Sequence, residues 1–543
     1  MPQDSSASIY PDASWNPVAA SFGFDNINSH YDPSLKHARP DTCRSIRTSP
    51  SSKENWQTAK RLRLSSRSSS RRRGLRREEI GDSIGSIMNA ENKVKLTFVG
   101  DLLCYNEHTR LCTDEQTGEY DFKTPIQKIT KYFQDSDYVV ANLETPLGGR
   151  YEKFEFAEKG FHSPPEFLEA FIDAGVDLFL TGNNHSYDQG EAGLLNTLET
   201  LDSYGVDHIG TYASVEDAKK IHIKEINRIQ VAFLSYTFGI NYNVHGKMLP
   251  KEKSYQINFL APPEYQEFED WWNLAPCLLN FPWPKVLLRP IVHTNVRYPY
   301  HELTEKVTED IAKAKQQGAD FIVVIPHFGI ECVNHPLRFV RKWSEKMFAA
   351  GADAIIGGHP HTLQPMEFFD VEDVFGERKK RFIIYSLGNF ISHAVDYCPQ
   401  KLSAMSVILN LMLERESESG KVKVKSISCV PTWICHDDKE KPVSVVAIPD
   451  ELKRADISPE LKERLSGVQK RIHGLITADD AEIPDALWDF LPEGKLQHER
   501  RFIHSQDIHY LFHGFPEMVF GTIYASFCPE WLKMKIREWR NKK

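Results

Sequence analysis

From Lys93 onward, apolar and polar positions fall into a repeating order. Residues 95–99 alternate and are rich in β-formers, and residues 137–142 (DYVVAN) form a short apolar run, so both predict strands. Residues 165–174 predict a helix closed by Gly175, and residues 177–181 a strand. Residues 190–204 carry Leu194, Leu195, Leu198 and Leu201 at helical spacing and predict a helix ending at Gly205. The rhythm continues with a strand at 230–236, a polar helix at 301–317 closed by Gly318, and a strand at 320–326 (DFIVVIP). A helix at 337–350 closed by Gly351 follows, then strands at 353–356 and 381–386 (RFIIYS). Short apolar runs alternating with helices predict crossover units and an α/β protein with sheets flanked by helices.

Three regions break the rhythm. Residues 1–90 are rich in Ser, Pro, Asp and Arg and poor in periodic apolar positions, so they predict a disordered tail that cannot offset its ordering entropy. Residues 241–300 hold the string WWNLAPCLLNFPWPKVLLRP and predict an ordered aromatic, Pro-rich insertion, either a structural flap or a cap over a site. As a cap, its Lys251, Lys253, Lys285 and Arg289 would select an anionic substrate. Residues 441–543 predict a mostly helical extension; its His498, His504, His509 and His513 form no motif. The main domain is thus expected at 94–440, with the insertion inside it.

Charge and cysteine usage narrow the partners. The chain has 543 residues and a net charge of −9, but residues 1–90 carry 14 Lys/Arg against 9 Asp/Glu. The folded part is therefore acidic and has no basic stripe, so no nucleic-acid partner is expected. The run at 60–77 (KRLRLSSRSSSRRRGLRR) is a solvated tail, a nuclear address or a phosphorylation target. Nine cysteines stand singly with no C-x-x-C pair, which predicts free thiols in a reducing compartment. No signal peptide is recognisable and no run reaches the length of a membrane span, so the expected location is cytoplasmic.

Each predicted strand is followed by a polar group. Gly100-Asp101 follows the first, Asn142-Leu143-Glu144 the second and Gly182-Asn183-Asn184-His185 the third. His327-Phe328-Gly329-Ile330-Glu331, His359-Pro360-His361 and Ser386-Leu387-Gly388-Asn389 follow later ones. Ligands in α/β sheets bind at the carboxyl ends of strands. Taken singly, Asp101 is a turn cap, Asn183 and Asn184 suit left-handed turns, and His327 is a core histidine. Taken together, two carboxylates, an Asn and several histidines make a mixed N/O donor set suited to zinc, manganese or iron.

Several strings resemble the CapA family of capsule-synthesis (poly-γ-glutamate synthesis) proteins, a branch of the calcineurin-like metallophosphoesterases. They are FVGD at 98–101, ANLETPL at 141–147, GNNHSYDQGEAGLLNTLETL at 182–201, HFGIE at 327–331, AGADAIIGGHPHTLQPME at 350–367 and IIYSLGNFI at 383–391. The resemblance implies a metallophosphoesterase sandwich holding one or two divalent metal ions. Glu144 would bridge them, Asn184, His327 and His359 would complete one site, and Asp101 and His361 would belong to the other. His185 would act as acid, base or oxyanion stabiliser, and Glu331 would be an orienting residue or a proton carrier. Asn183, Ser386 and Asn389 would line the substrate floor. Phosphoesterases carry Asp-x-His in the first motif, whereas this chain has Asp101-Leu102-Leu103, which leaves one ligand to a group such as His108 or to water. The family implies a hydrolase acting on a polyglutamate or peptide amide or on a phosphate ester, a metal-assisted peptide epimerase, or a non-catalytic component of polyglutamate synthesis. Oligomeric state is not legible in the sequence.

Overall fold

The computed structural model describes residues 92–148, 161–241, 249–261, 303–329, 331–332, 334–336, 338–417, 419–436, 441–477 and 488–490. The tail at 1–90, Lys285, Arg289, most of the predicted insertion and the four histidines of the C-terminal extension lie outside the described residues. All described residues fall in one compact unit, Trp56–Ala275 with Phe281–Glu499.

Two mixed sheets make up this unit. The larger contains β1 (Lys93–Leu102), β2 (Tyr138–Leu143), β3 (Leu178–Leu180), β4 (Asp207–Ile209), β11 (Asn389–Ile391), β12 (Met405–Arg415), β13 (Val422–Cys435), β14 (Ser444–Ala447) and β15 (Trp488–Phe490). Its order is β14-β13-β12-β1-β2-β3-β4, with β11 beside β1 and β15 beside β13. β1 to β4 run parallel, while β12, β13 and β14 return as an antiparallel meander. The smaller sheet has the order β5-β6-β7-β8-β10-β9, from β5 (His222–Ile226), β6 (Ile229–Thr237), β7 (Phe321–His327), β8 (Ala354–Ile356), β9 (Met366–Glu372) and β10 (Arg378–Ile384).

Side-chain alternation explains why the sheets stack. Along β7, Phe321, Val323 and Ile325 join one buried cluster, while Ile322 and Val324 join another. β6 splits likewise, with Val231 and Phe233 in the first cluster and Ala232, Leu234 and Tyr236 in the second. Successive strand residues point to opposite faces, so a strand apolar at every position must be covered on both. The first cluster also holds Phe98, Val140 and Leu178 of the larger sheet and is the core between the sheets. The second is closed by α3 (Glu305–Gln316) and α4 (Arg338–Ala350) through Val307, Ile311, Trp343 and Met347. On the larger sheet, α1 (Pro165–Ala174) buries Phe167, Leu168 and Phe171, and α2 (Gly190–Tyr204) follows β3. Gly175 and Gly205 close α1 and α2 in the left-handed conformation, at φ 113° and 62°. This is the α/β sandwich that the resemblance implies.

Two expectations change. Beyond 440 the described chain is not helical throughout: α5 (Pro459–Thr477) is preceded by β14, which pairs with β13 inside the larger sheet. The cysteines are not all free thiols either. Cys332 and Cys398, 66 residues apart, form a disulfide with Cα atoms 5.1 Å apart. Nothing in their sequence spacing marks such a pair, because the loops that bring them together are joined only through the fold. Among the described residues no helix is long and apolar enough to cross a membrane.

Candidate metal centre

The polar groups that follow the strands meet at one end of the sandwich. Asp101 sits in β1 beside a register shift, opposite Asn389 of β11 and Asn142 of β2. That shift admits a close crossing: a Cβ on Gly100 would lie 1.9 Å from the carbonyl oxygen of Gly388, so only glycine fits there. His327 ends β7, and its neighbour across the sheet is Gly358, at the turn leading from β8. His359 and His361 then occupy left-handed backbone conformations, at φ 96° and 56°. Non-glycine residues held there carry backbone strain, which persists where the surroundings fix it and concentrates at functional sites.

Two groups of donors converge. Glu144, His359 and His361 each present a ligand atom, all within 4.8 Å of one another, and so do Asp101, Glu144 and His327. The two groups interleave, since His361 Nδ1 also lies 3.4 Å from Asp101 Oδ2. Glu144 is common to both. Its Oε1 faces Nε2 of His327 at 3.1 Å, Nε2 of His361 at 3.7 Å and Nε2 of His185 at 4.0 Å. Asn184 Oδ1 accepts from His327 Nε2 at 2.7 Å and thus lies at the same point. All of Asp101, Glu144, Asn184, His327, His359 and His361 are buried.

The outer hydrogen bonds set the imidazoles. His361 Nδ1 donates to Asn389 Oδ1 at 2.8 Å, which turns its Nε2 toward Glu144. His185 Nδ1 donates to Asp188 Oδ2 at 2.7 Å, and that carboxylate also accepts from the Phe161 amide at 2.8 Å. Phe161 stacks flat on the His185 ring, with centroids 4.0 Å apart. Asn142 donates through Nδ2 to Asp101 Oδ1 at 2.7 Å. Burial raises the Glu144 carboxyl well above its usual range, and Asp101 and Glu331 add to the effect. Burial pulls His327 down to about 3 and His359 well below its ordinary value. For Asp101, burial is outweighed by the hydrogen bond to His361 and the charges of His327 and His361, so its carboxyl is lowered. For His361, burial is outweighed by the same contact with Asp101, so it is raised.

These residues fit a divalent cation. Glu144 Oε1 and His359 Nδ1 are buried without a hydrogen-bond partner, and His361 Nε2 faces the same Glu144 oxygen. Buried polar atoms are seldom left unpaired, and a cation would satisfy both while holding Glu144 ionised. The donor set of imidazole nitrogen and carboxylate oxygen suits zinc, manganese or iron.

The other predicted positions include Asn183 and Ser386. Both are buried: Asn183 donates to Asn142 Oδ1 and to the Leu143 carbonyl, and Ser386 Oγ accepts from the Gly388 amide. Asn389 is also buried and orients His361. Glu331 lies near Glu144 and His361, and its carboxylate accepts from the Tyr397 hydroxyl. It stands beside the disulfide, whose Cys332 and Cys398 follow Glu331 and Tyr397 directly. His108 does not replace the absent ligand. It is wholly buried, edge-on to Phe122 and Phe167. Lys253 pairs with Glu191 at 2.5 Å. The sequence reading missed Asp188, which lies within a quoted motif three residues after His185 and is visible as a His-x-x-Asp pair. It also missed Phe161, Asn241 and Tyr397, for which no local signal exists.

Comparison with known proteins places the matched residues on this same core. The model of the bacterial capsule synthesis protein PGA_cap family matches residues 95–394. The capsule biosynthesis protein CapA of Bacillus anthracis is 27% identical over 314 residues, covering 57% of this chain and 62% of that protein. The PGA biosynthesis protein CapA of Bacillus subtilis (strain 168) is 27% identical over 306 residues, covering 56% of this chain and 64% of that protein. The chain thus spans less than two thirds of the length of these curated relatives. A hypothetical protein from Thermus thermophilus of known structure covers 62% of this chain and 98% of its own, at 12% identity and a TM-score of 0.30.

Proposed function

The chain belongs to the bacterial capsule synthesis protein PGA_cap family, and from that premise we propose that it is a metal-dependent hydrolase. Its substrate class is a γ-glutamyl or peptide amide, or a phosphate ester. The observation that carries the reading is the His185–Asp188 pair set beside Glu144 and the imidazole cluster. A scaffold that only needs a cation for stability has no use for an oriented imidazole next to it.

Glu144, His359, His361 and their neighbours would hold a divalent ion, which would supply Lewis-acid polarisation of an acyl or phosphoryl oxygen and acidify a water. The chain's own residues do the rest. Asp188 accepts from Nδ1 of His185 and so commits Nε2 to the cluster side, where it can take or give a proton. Phe161 covers one face of that imidazole and limits the water that reaches it. Asn241 lies against both His185 and Asn184, through its amide nitrogen 3.2 Å from His185 Nδ1 and its Oδ1 3.0 Å from Asn184 Nδ2. It therefore ties the base to the donor set. Glu331 and Tyr397 form a polar rim beside His361 that suits a proton on the leaving group.

The names of the two Bacillus relatives refer to capsule and PGA biosynthesis, which supports testing γ-glutamyl peptides first. The test is turnover of short γ-glutamyl peptides and of an aryl phosphodiester by full-length protein reconstituted separately with zinc, manganese and iron. Turnover of either class that depends on His185 supports the reading. Metal-loaded protein that turns over neither class counts against a hydrolase.

A further inference from the structure

The calcineurin-like fold implies two adjacent cations, but here an amide nitrogen stands among the side chains of one of the two candidate donor groups. We infer that the amide nitrogen of Asn142 takes the place of the second ion, so that the centre holds a single cation. This rests on the reading of the cluster as a metal centre and adds the number of ions and the residue that sets it.

Asn142 Nδ2 lies 2.7 Å from Asp101 Oδ1, 3.3 Å from His327 Nδ1 and 3.5 Å from Glu144 Oε2. These three residues are one of the two candidate donor groups. A cation bound at ~2.1 Å from such atoms would need the volume that the amide group fills. The wall behind is equally tight, since a Cβ on Gly358 would lie 2.9 Å from Asp101 Oδ1.

The amide cannot simply turn over to offer its oxygen. Asn183 Nδ2 donates to the Leu143 carbonyl at 2.9 Å, and a carbonyl only accepts, so the NH2 end of Asn183 is fixed. That same NH2 lies 3.1 Å from Asn142 Oδ1, which therefore is the acceptor. Asn142 must then present its own NH2 to Asp101. Asn183 is thus the residue that locks the choice, from a buried position out of reach of solvent. With Asp101 Oδ1, Glu144 Oε2 and His327 Nδ1 turned to the amide, the opposite atoms serve the other side. Asp101 Oδ2 lies 3.4 Å from His361 Nδ1, and Glu144 Oε1 faces His327 Nε2 and His361 Nε2. The unpartnered Glu144 Oε1 is thus on that side, and His359 and His361 share a donor group with Glu144. The two leucines after Asp101 agree with this, because a position already filled by an amide needs no further ligand.

The experiment is metal content by elemental analysis, with the manganese-loaded protein also read by electron paramagnetic resonance. Full-length wild-type protein is compared with Asn142→Asp. The substitution keeps an acceptor for Asn183 but sets a second carboxylate oxygen against Asp101, and two such oxygens together call for a cation. One ion per wild-type chain with an isolated six-line manganese spectrum, and two ions with an exchange-coupled spectrum in the variant, is the expected result. Two ions per wild-type chain would overturn the inference while leaving the metal centre intact. A variant that folds and still binds one ion would overturn the assignment to Asn142. No ion in wild-type protein would remove the metal centre and this inference together. Should the variant fail to fold, the wild-type count and spectrum decide the number of ions alone.

Discussion

His185 Nδ1 stands 2.7 Å from Asp188 Oδ2, and this contact decides which nitrogen of the imidazole faces Glu144. Because the carboxylate also takes the Phe161 amide, it cannot swing away without losing a second bond. A hydrogen-bonded carboxylate fixes the tautomer of the imidazole it touches.

Loss of His185 therefore separates chemistry from metal binding. In His185→Ala, turnover is expected to fall by ~10²–10⁴-fold, the usual contribution of a general acid or base, while metal content stays that of wild type. Asp188→Asn should lose activity in the same direction, with metal content again unchanged. Parallel kinetics and elemental analysis check both variants. Loss of the metal in His185→Ala would instead make that imidazole a ligand.

His359 and His361 behave in the opposite way. Substituting both by Ala removes two donors from a buried group that also holds Glu144. The double variant should bind no ion after reconstitution and should melt at the same temperature with or without a chelator. Wild-type protein should melt lower in chelator, since a ligand that binds only the folded state stabilises it.

His108 predicts an acid sensitivity remote from the metal centre. Burial, with the nearby His393, lowers its pKa from the ordinary 6.5 to about 4. The unfolded chain therefore takes up a proton between about 6.5 and about 4 that the folded chain refuses. The sign follows: stability from the neutral, buried imidazole is complete above the unfolded value and is lost as pH falls through that window. The size is on the order of 3 kcal/mol. His108→Phe fits the aromatic surroundings of Phe122 and Phe167 and should flatten this dependence. Thermal melts at pH 5 and pH 7.5 test it, and an unchanged slope in the variant would reject His108 as the source.

The Cys332–Cys398 link predicts a redox effect on stability. Under denaturing alkylation without reductant, peptides holding Cys332 and Cys398 should remain joined, while Cys104, Cys112, Cys429 and Cys435 are modified. Cys332→Ser should lower stability by about 2–4 kcal/mol, read by denaturant unfolding with and without reductant. Full alkylation of all six before reduction would show that the link does not form in solution.

Much of this protein is determined by its sequence alone. The run DFIVVIP predicts a strand covered on both faces, and Phe321, Ile322, Val323 and Val324 do alternate between two buried clusters. Helix ends at Gly175 and Gly205 were legible because a left-handed terminal residue strongly favours glycine. So was the collection of Asp101, Glu144, Asn184, His327, His359 and His361 at one end of the sheets, because polar residues after apolar runs mark strand ends. The long strands β12 and β13, and β14 inside the extension, were not read. Their partners are distant in sequence, and β pairing is a long-range property. Tertiary structure alone decided the fine arrangement of the site. Which donors share a point, which way the Asn142 amide faces, and that His108 turns into the aromatic core depend on distances below 4 Å between residues far apart in the chain. Local propensity carries no term for such contacts. They are set when two sheets close on a common core and the buried donors and acceptors must find partners there.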